Sequence, residues 1–125
     1  MPMRQVKGFL ARTVALAIVL LGLAPGVFAA GNAAAGKEVY TALCTRCHGE
    51  RGKGNGPDGA TLATKPRDFT DCARMQAIND QELLTVIKEG GAAHQLSKDM
   101  PPWGAALQDQ QIVDLVAYIR SFCAH

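Results

Sequence analysis

The chain has no apolar stretch long enough to cross a bilayer as a helix. Its longest, Val14–Ala24, has eleven residues and would span ~16 Å, about half the hydrocarbon core. At 125 residues there is no room for a second domain. Beyond residue 30 there is no alternation of strand type, no internal repeat and no low-complexity tract. A dominant charge is also missing. The formal +2 comes from 13 basic and 11 acidic side chains, but Arg4, Lys7 and Arg12 lie in the first 29 residues, which hold no acid. Without those three the remainder carries ten bases against eleven acids, a net −1. Binding of nucleic acid through a basic surface loses its support with that subtraction. At 48% hydrophobic and 19% charged, the chain is neither disordered nor a polytopic membrane protein.

The first 29 residues read as a secretory signal. Arg4, Lys7 and Arg12 make a positive start, Val14–Ala24 the apolar stretch, and Pro25-Gly26 break it. Val27-Phe28-Ala29 then places small residues at the −3 and −1 positions of a cleavage site after Ala29. A retained anchor is the rival, and the apolar stretch is too short for it. The expected division is a cleaved signal over 1–29 and one domain over 30–125, 96 residues long. This places the protein in the periplasm or otherwise outside the cytoplasm, with no stable membrane insertion after cleavage. There, disulfides persist and free thiols need a reason.

Three helices and two loops follow. Asn32 is an N-cap for a helix carrying Val39, Tyr40 and Leu43, which runs into Cys44-Thr45-Arg46-Cys47-His48. Residues 49–59, GERGKGNGPDG, contain five glycines in eleven positions and predict a tight loop. Pro66 interrupts the stretch from 60 to 78, which has room for a short helical turn after Asp71. Asn79 with Glu82 three residues on forms a capping box for a helix carrying Leu83, Leu84, Val86 and Ile87, ended by Gly90-Gly91. A second loop over 92–107 centres on Met100-Pro101-Pro102-Trp103. The last helix starts near Asp109, with Ile112, Leu115, Val116, Ile119 and Phe122 as one apolar stripe. The fold class is all-α.

Cys44, Cys47 and His48 carry the chemistry. Cys-x-x-Cys-His is the sequence of c-type haem attachment. On a helix, positions i, i+3 and i+4 share a face, so two thiols can bond two vinyl groups while the imidazole meets the iron. Other readings of the cluster remain. A thioredoxin-like dithiol needs a strand feeding the helix. A zinc site needs four ligands, and Cys72, His94, Cys123 and His125 are further candidates, although no second closely spaced pair exists. A Cys44–Cys47 disulfide would be strained at that spacing.

With CTRCH at 44–48, GKGNGPDG at 52–59, DMPPWG at 99–104 and IVDLVAYIRSF at 112–122, the chain resembles the small bacterial class I cytochromes c over nearly all of residues 30–125. The resemblance implies three main helices and long loops around one covalent haem c. It also implies thioethers at Cys44 and Cys47, with His48 as proximal and Met100 as distal ligand. Cytochromes c′ carry the motif near the C-terminus of a four-helix bundle, and its early position here argues against them. Met100 is favoured by the two prolines after it, which fix φ and remove two donors, so that the thioether is held in place. His94 is the rival distal ligand.

In similar cytochromes a proline carbonyl orients the proximal imidazole, and Pro57 occupies the matching position. Arg67, in KPRDF, resembles the basic residue that pairs with a haem propionate. Trp103 can pack its ring on the haem edge and direct its N–H to a propionate. One departure is Gln108 before Asp109, where similar chains place Ser or Thr; it predicts a weaker cap or one shifted to Asp109.

The expected function is one-electron transfer to and from other redox proteins or domains, with no catalytic residues. With both axial positions filled, the iron can only change valence. The alternatives are a five-coordinate haem enzyme or gas sensor, which requires Met100 not to bind, and a haem-free zinc module. Glu50, Arg51, Lys53 and Asp58 are mixed in sign and give no docking polarity. With Cys44 and Cys47 committed to haem, Cys72 and Cys123 are left to pair. That bridge would close a loop across 51 positions and contribute roughly 4 kcal/mol in the chain-entropy model.

Overall fold

A computed structural model describes residues 29–124. Apart from Ala29, the expected signal segment lies outside the described residues, as does His125. Five α-helices run in order: α1 (Ala33–Leu43), α2 (Thr45–His48), α3 (Cys72–Gln76), α4 (Asp80–Glu89) and α5 (Asp109–Ser121). Single 3₁₀ turns occur at Gly59–Thr61 and Ala92–His94. Among the described residues there is no strand. The architecture is all-α, with α1, α4 and α5 as its main helices.

Side chains start these helices where the sequence places them. Asn32 Oδ1 accepts from the N–H groups of Ala34 and Ala35, Asp71 Oδ1 from that of Arg74, and Asn79 Oδ1 from that of Glu82. Each bond satisfies donors left without a partner in the first turn. At α5 the helix begins at Asp109 with Gln108 in the cap position. Gln111 Oε1 accepts the Gln108 N–H at 2.9 Å, so the boundary does not move.

α1 and α5 cross in close contact. Gly36 makes this possible, because a Cβ there would stand 1.9 Å from the Asp114 carbonyl oxygen. The Asn32 N–H donates to Asp114 Oδ1 at 2.8 Å and ties the start of α1 to the same turn. From α5 the stripe of Ile112, Leu115, Val116 and Ile119 is buried, joined by Leu83 and Ile87 from α4 and by Tyr40, Phe69 and Met75. Burial of each large apolar side chain stabilises the fold by about 1.5–3 kcal/mol. Arg120 fastens the far end of α5 by donating to the carbonyl oxygens of Met75 and Ile78 and to Asp80 Oδ1. Cys72 and Cys123 form a disulfide, with a Cα–Cα distance of 5.5 Å, as the pairing argument expects.

Candidate haem site

The attachment segment is set by a change of direction at the end of α1. Cys44 sits at the junction of α1 and α2, and its carbonyl accepts from the N–H groups of Cys47 and His48. The three side chains therefore occupy one turn, as the spacing predicts. The glycine-rich loop then folds back over that turn. The N–H groups of Gly54, Gly56 and Asp58 donate to the carbonyls of His48, Cys47 and Arg46. A four-residue helix leaves its last carbonyls without internal partners, and the loop supplies them. At Gly56 a Cβ would lie 2.3 Å from the Arg46 carbonyl oxygen, so a larger residue would push the loop off the helix. Arg46 clasps Asp58 through Nε at 2.6 Å and a second nitrogen at 2.8 Å.

Met100 is held by a second set of contacts. The N–H groups of Trp103 and Gly104 donate to the carbonyls of Ile87 and Lys88 in the last turn of α4. The Gly91 N–H donates to the Met100 carbonyl at 2.9 Å. Gly90 adopts φ +82°, and a Cβ there would be 2.8 Å from the Pro102 nitrogen. The Met100–Trp103 loop is thus anchored on the end of α4, beyond the stiffness of its prolines.

These elements enclose a cavity of about 910 Å³, lined by Cys44, Cys47, His48, Arg67, Met100 and Trp103 among others. Its size falls in the ~300–1,000 Å³ range of cofactor sites. Burial pushes the Cys44 thiol up to about 11, with Cys47 adding to the effect. Burial also holds His48 below the usual imidazole range, while its bond to the Arg67 carbonyl opposes the shift. The neutral ring is the form that binds metal. Cys44 and Cys47 form no disulfide, with each other or with another cysteine. An apolar cavity with two such thiols, a neutral imidazole and a thioether on its wall has the donor set that a covalently attached haem needs.

The rival ligands are placed elsewhere. His94 Nε2 lies 3.0 Å from Glu89 Oε2, and the residue is not on the cavity wall. Among the described residues, no three His, Cys, Asp or Glu side chains are grouped to hold a metal ion, so the zinc reading has no assembled ligand set there.

Comparison with known proteins bears on the family. The family model described as cytochrome c oxidase, cbb3-type, subunit III matches residues 31–119. The chain belongs to this family of c-type cytochromes. The cytochrome is 37% identical to cytochrome c-554(547) of Halothiobacillus neapolitanus, over 74% of this chain and 98% of that protein. It is 34% identical to cytochrome c6 of Rippkaea orientalis, over 72% of this chain and 70% of that one. The cbb3-type oxidase subunit FixP of Bradyrhizobium diazoefficiens is 29% identical over 72% of this chain, which spans only 27% of that subunit. Among solved structures, the KustC0563 c-type cytochrome superposes with a TM-score of 0.58 at 25% identity, covering 70% of this chain and 96% of that one. The cytochrome is an electron carrier, and it holds one haem c covalently through Cys44 and Cys47.

One expectation is corrected by the geometry. The carbonyl facing His48 Nδ1 belongs to Arg67, at 3.3 Å, and not to Pro57. The glycine-rich loop carries Pro57 past the end of α2 into a separate hollow of about 590 Å³ with Thr45, Glu50 and Arg51. The segment around Arg67 crosses beside the ring instead. Sequence reasoning also passed over Phe69, which stacks on His48 with centroids 4.5 Å apart. It lies in a segment without helical period, so no pattern marked it. Tyr40, whose hydroxyl donates to the Gly49 carbonyl at 2.7 Å, was legible only as a core residue.

Proposed function

We propose that this cytochrome shuttles single electrons between redox proteins of the periplasm, with His48 and Met100 as the axial ligands of its haem. When attached, the haem supplies a one-electron iron couple. The chain's own residues attach it, orient the ligands and keep the site dry. The observation that carries the reading is that His48 and Met100 reach one cavity from two independently anchored elements, while His94 is engaged with Glu89. The Arg67 carbonyl, 3.3 Å from Nδ1, would accept a hydrogen bond from the proton on that nitrogen and leave Nε2 for ligation. Arg67 and Trp103, on the cavity wall, are the residues to meet the propionates. Among the described residues no helix is long and apolar enough to cross a membrane. The reading of the first 29 residues supports export, with the mature protein starting at Ala30.

Met100→Ala tests the ligation. The variant should keep its haem, since both thioethers are intact, and should bind carbon monoxide readily when reduced. Its potential should fall, because a thioether favours ferrous iron. It should also lack the weak near-infrared sulfur-to-iron band of the oxidised wild type. A wild type without that band, binding carbon monoxide as fast as the variant, would remove Met100 from the iron.

A further inference from the structure

Two aromatic rings are layered behind His48 and a disulfide ties them down, and together they do more than fill the core. The imidazole is nearly parallel to Phe69, with planes 12° apart. Phe69 is in turn stacked on Phe122, with centroids 6.3 Å and planes 18° apart. The disulfide lies against the backbone of the segment that carries Phe69. Cys123 Sγ is 3.2 Å from the Phe69 carbonyl oxygen, and Cys72 Sγ is 3.3 Å from that of Thr70. Since Cys123 directly follows Phe122, one covalent bond fixes the end of α5 against the segment that carries Phe69.

That segment needs fixing, because residues 62–70 contain no helix or strand. Its main ties are the Phe69 N–H, donating to the Gly52 carbonyl at 2.7 Å, and the disulfide three residues on. Two residues before Phe69 stands the Arg67 carbonyl that accepts from His48. A shift of Phe69 would therefore change the ring's packing and its hydrogen bond together.

We propose that Phe69, buttressed by Phe122 and the Cys72–Cys123 disulfide, is the positioning residue for His48, holding the imidazole plane and keeping the Arg67 carbonyl on Nδ1. The inference rests on His48 being an iron ligand. A carbonyl on the outer nitrogen raises the basicity of a ligating imidazole. Loosening the stack should therefore weaken donation to ferric iron and raise the potential.

The test compares four holoproteins: wild type, Phe69→Leu, Cys72→Ser/Cys123→Ser and Arg120→Gln. Arg120 anchors α5 to Met75, Ile78 and Asp80, so its variant loses stability without touching the stack. The readouts are the midpoint potential and, in the oxidised protein, the hyperfine-shifted imidazole signals of His48 with the exchange rate of its Nδ1–H. In the Phe69 and disulfide variants, exchange should accelerate about tenfold, the loss of roughly one hydrogen bond, and the potential should rise. Arg120→Gln should unfold earlier with both readouts at wild-type values. Unchanged exchange and potential in Phe69→Leu overturn the proposal, as does an equal change in Arg120→Gln. If Phe69→Leu fails to mature, the disulfide variant decides alone by the same criteria. A wild type without hyperfine-shifted His48 signals would overturn the ligation itself, and this proposal with it.

Discussion

Removing the Cys72–Cys123 bond should be among the most destabilising double substitutions available outside the apolar core. The bond closes a loop of sequence separation 51, for which the chain-entropy model gives about 4 kcal/mol at 25 °C. The thioethers link only Cys44 and Cys47 to one haem, so they leave this loop open in the unfolded chain and do not duplicate the constraint. Serines in place of both cysteines would sit beside the carbonyls of Phe69 and Thr70. Hydrogen bonds from their hydroxyls could recover about 1 kcal/mol. The net loss should be about 3 kcal/mol. For a domain of this size that lowers Tm by roughly 12–24 °C. Guanidinium unfolding of the two holoproteins at 25 °C, followed by circular dichroism, measures it directly. The slope m should also rise, since an uncrosslinked unfolded chain exposes more surface. A loss under about 1 kcal/mol with unchanged m would refute the reasoning, because the bond would then not restrict the unfolded state.

Two further substitutions test other parts of the structure. Gly36→Ala puts a Cβ 1.9 Å from the Asp114 carbonyl oxygen and must drive α1 and α5 apart. It should cost about 3 kcal/mol, the upper end of ordinary overpacking, and an unchanged Tm would contradict the close crossing. His94→Ala removes only a partly exposed contact with Glu89. The visible spectrum and carbon monoxide affinity should stay at wild-type values, with stability altered by less than about 1 kcal/mol. A changed spectrum would make His94 a ligand.

The starts of α1 and α4 were legible because each is marked by a side chain whose chemistry acts locally: Asn32 and Asn79 cap where they stand, while the turn after Asp71, which also caps, was legible only as a place with room for one. The attachment turn was legible for the same reason, since its geometry is complete within Cys44–His48. The partner of His48 was not. Which carbonyl meets Nδ1 depends on how two irregular segments cross, and nothing in GKGNGPDG or KPRDF encodes that crossing. The Phe69 stack and the anchoring of Met100 on the last turn of α4 are hidden likewise, because both join residues far apart in sequence. At Gln108, where a weaker or a displaced cap was expected, the cap is not displaced, because Gln111, three residues on, closes the turn from the other side.

The pairing of α1 with α5 has a consequence for the order of events in making the protein. Asn32 and Asp114 are 82 positions apart, and the closure entropy for such a span is about 4 kcal/mol. Synthesis delivers α1 first and α5 last, so the helix that buries α1 is the final one to arrive. Until then Cys44 and Cys47 stand at the end of a single unpartnered helix of eleven residues, too short to persist alone in water. Closure of α1 on α5 therefore waits for the last segment of the chain. Until α5 arrives, both thiols stand outside any packed core, on a turn that only the finished fold brings to the cavity wall.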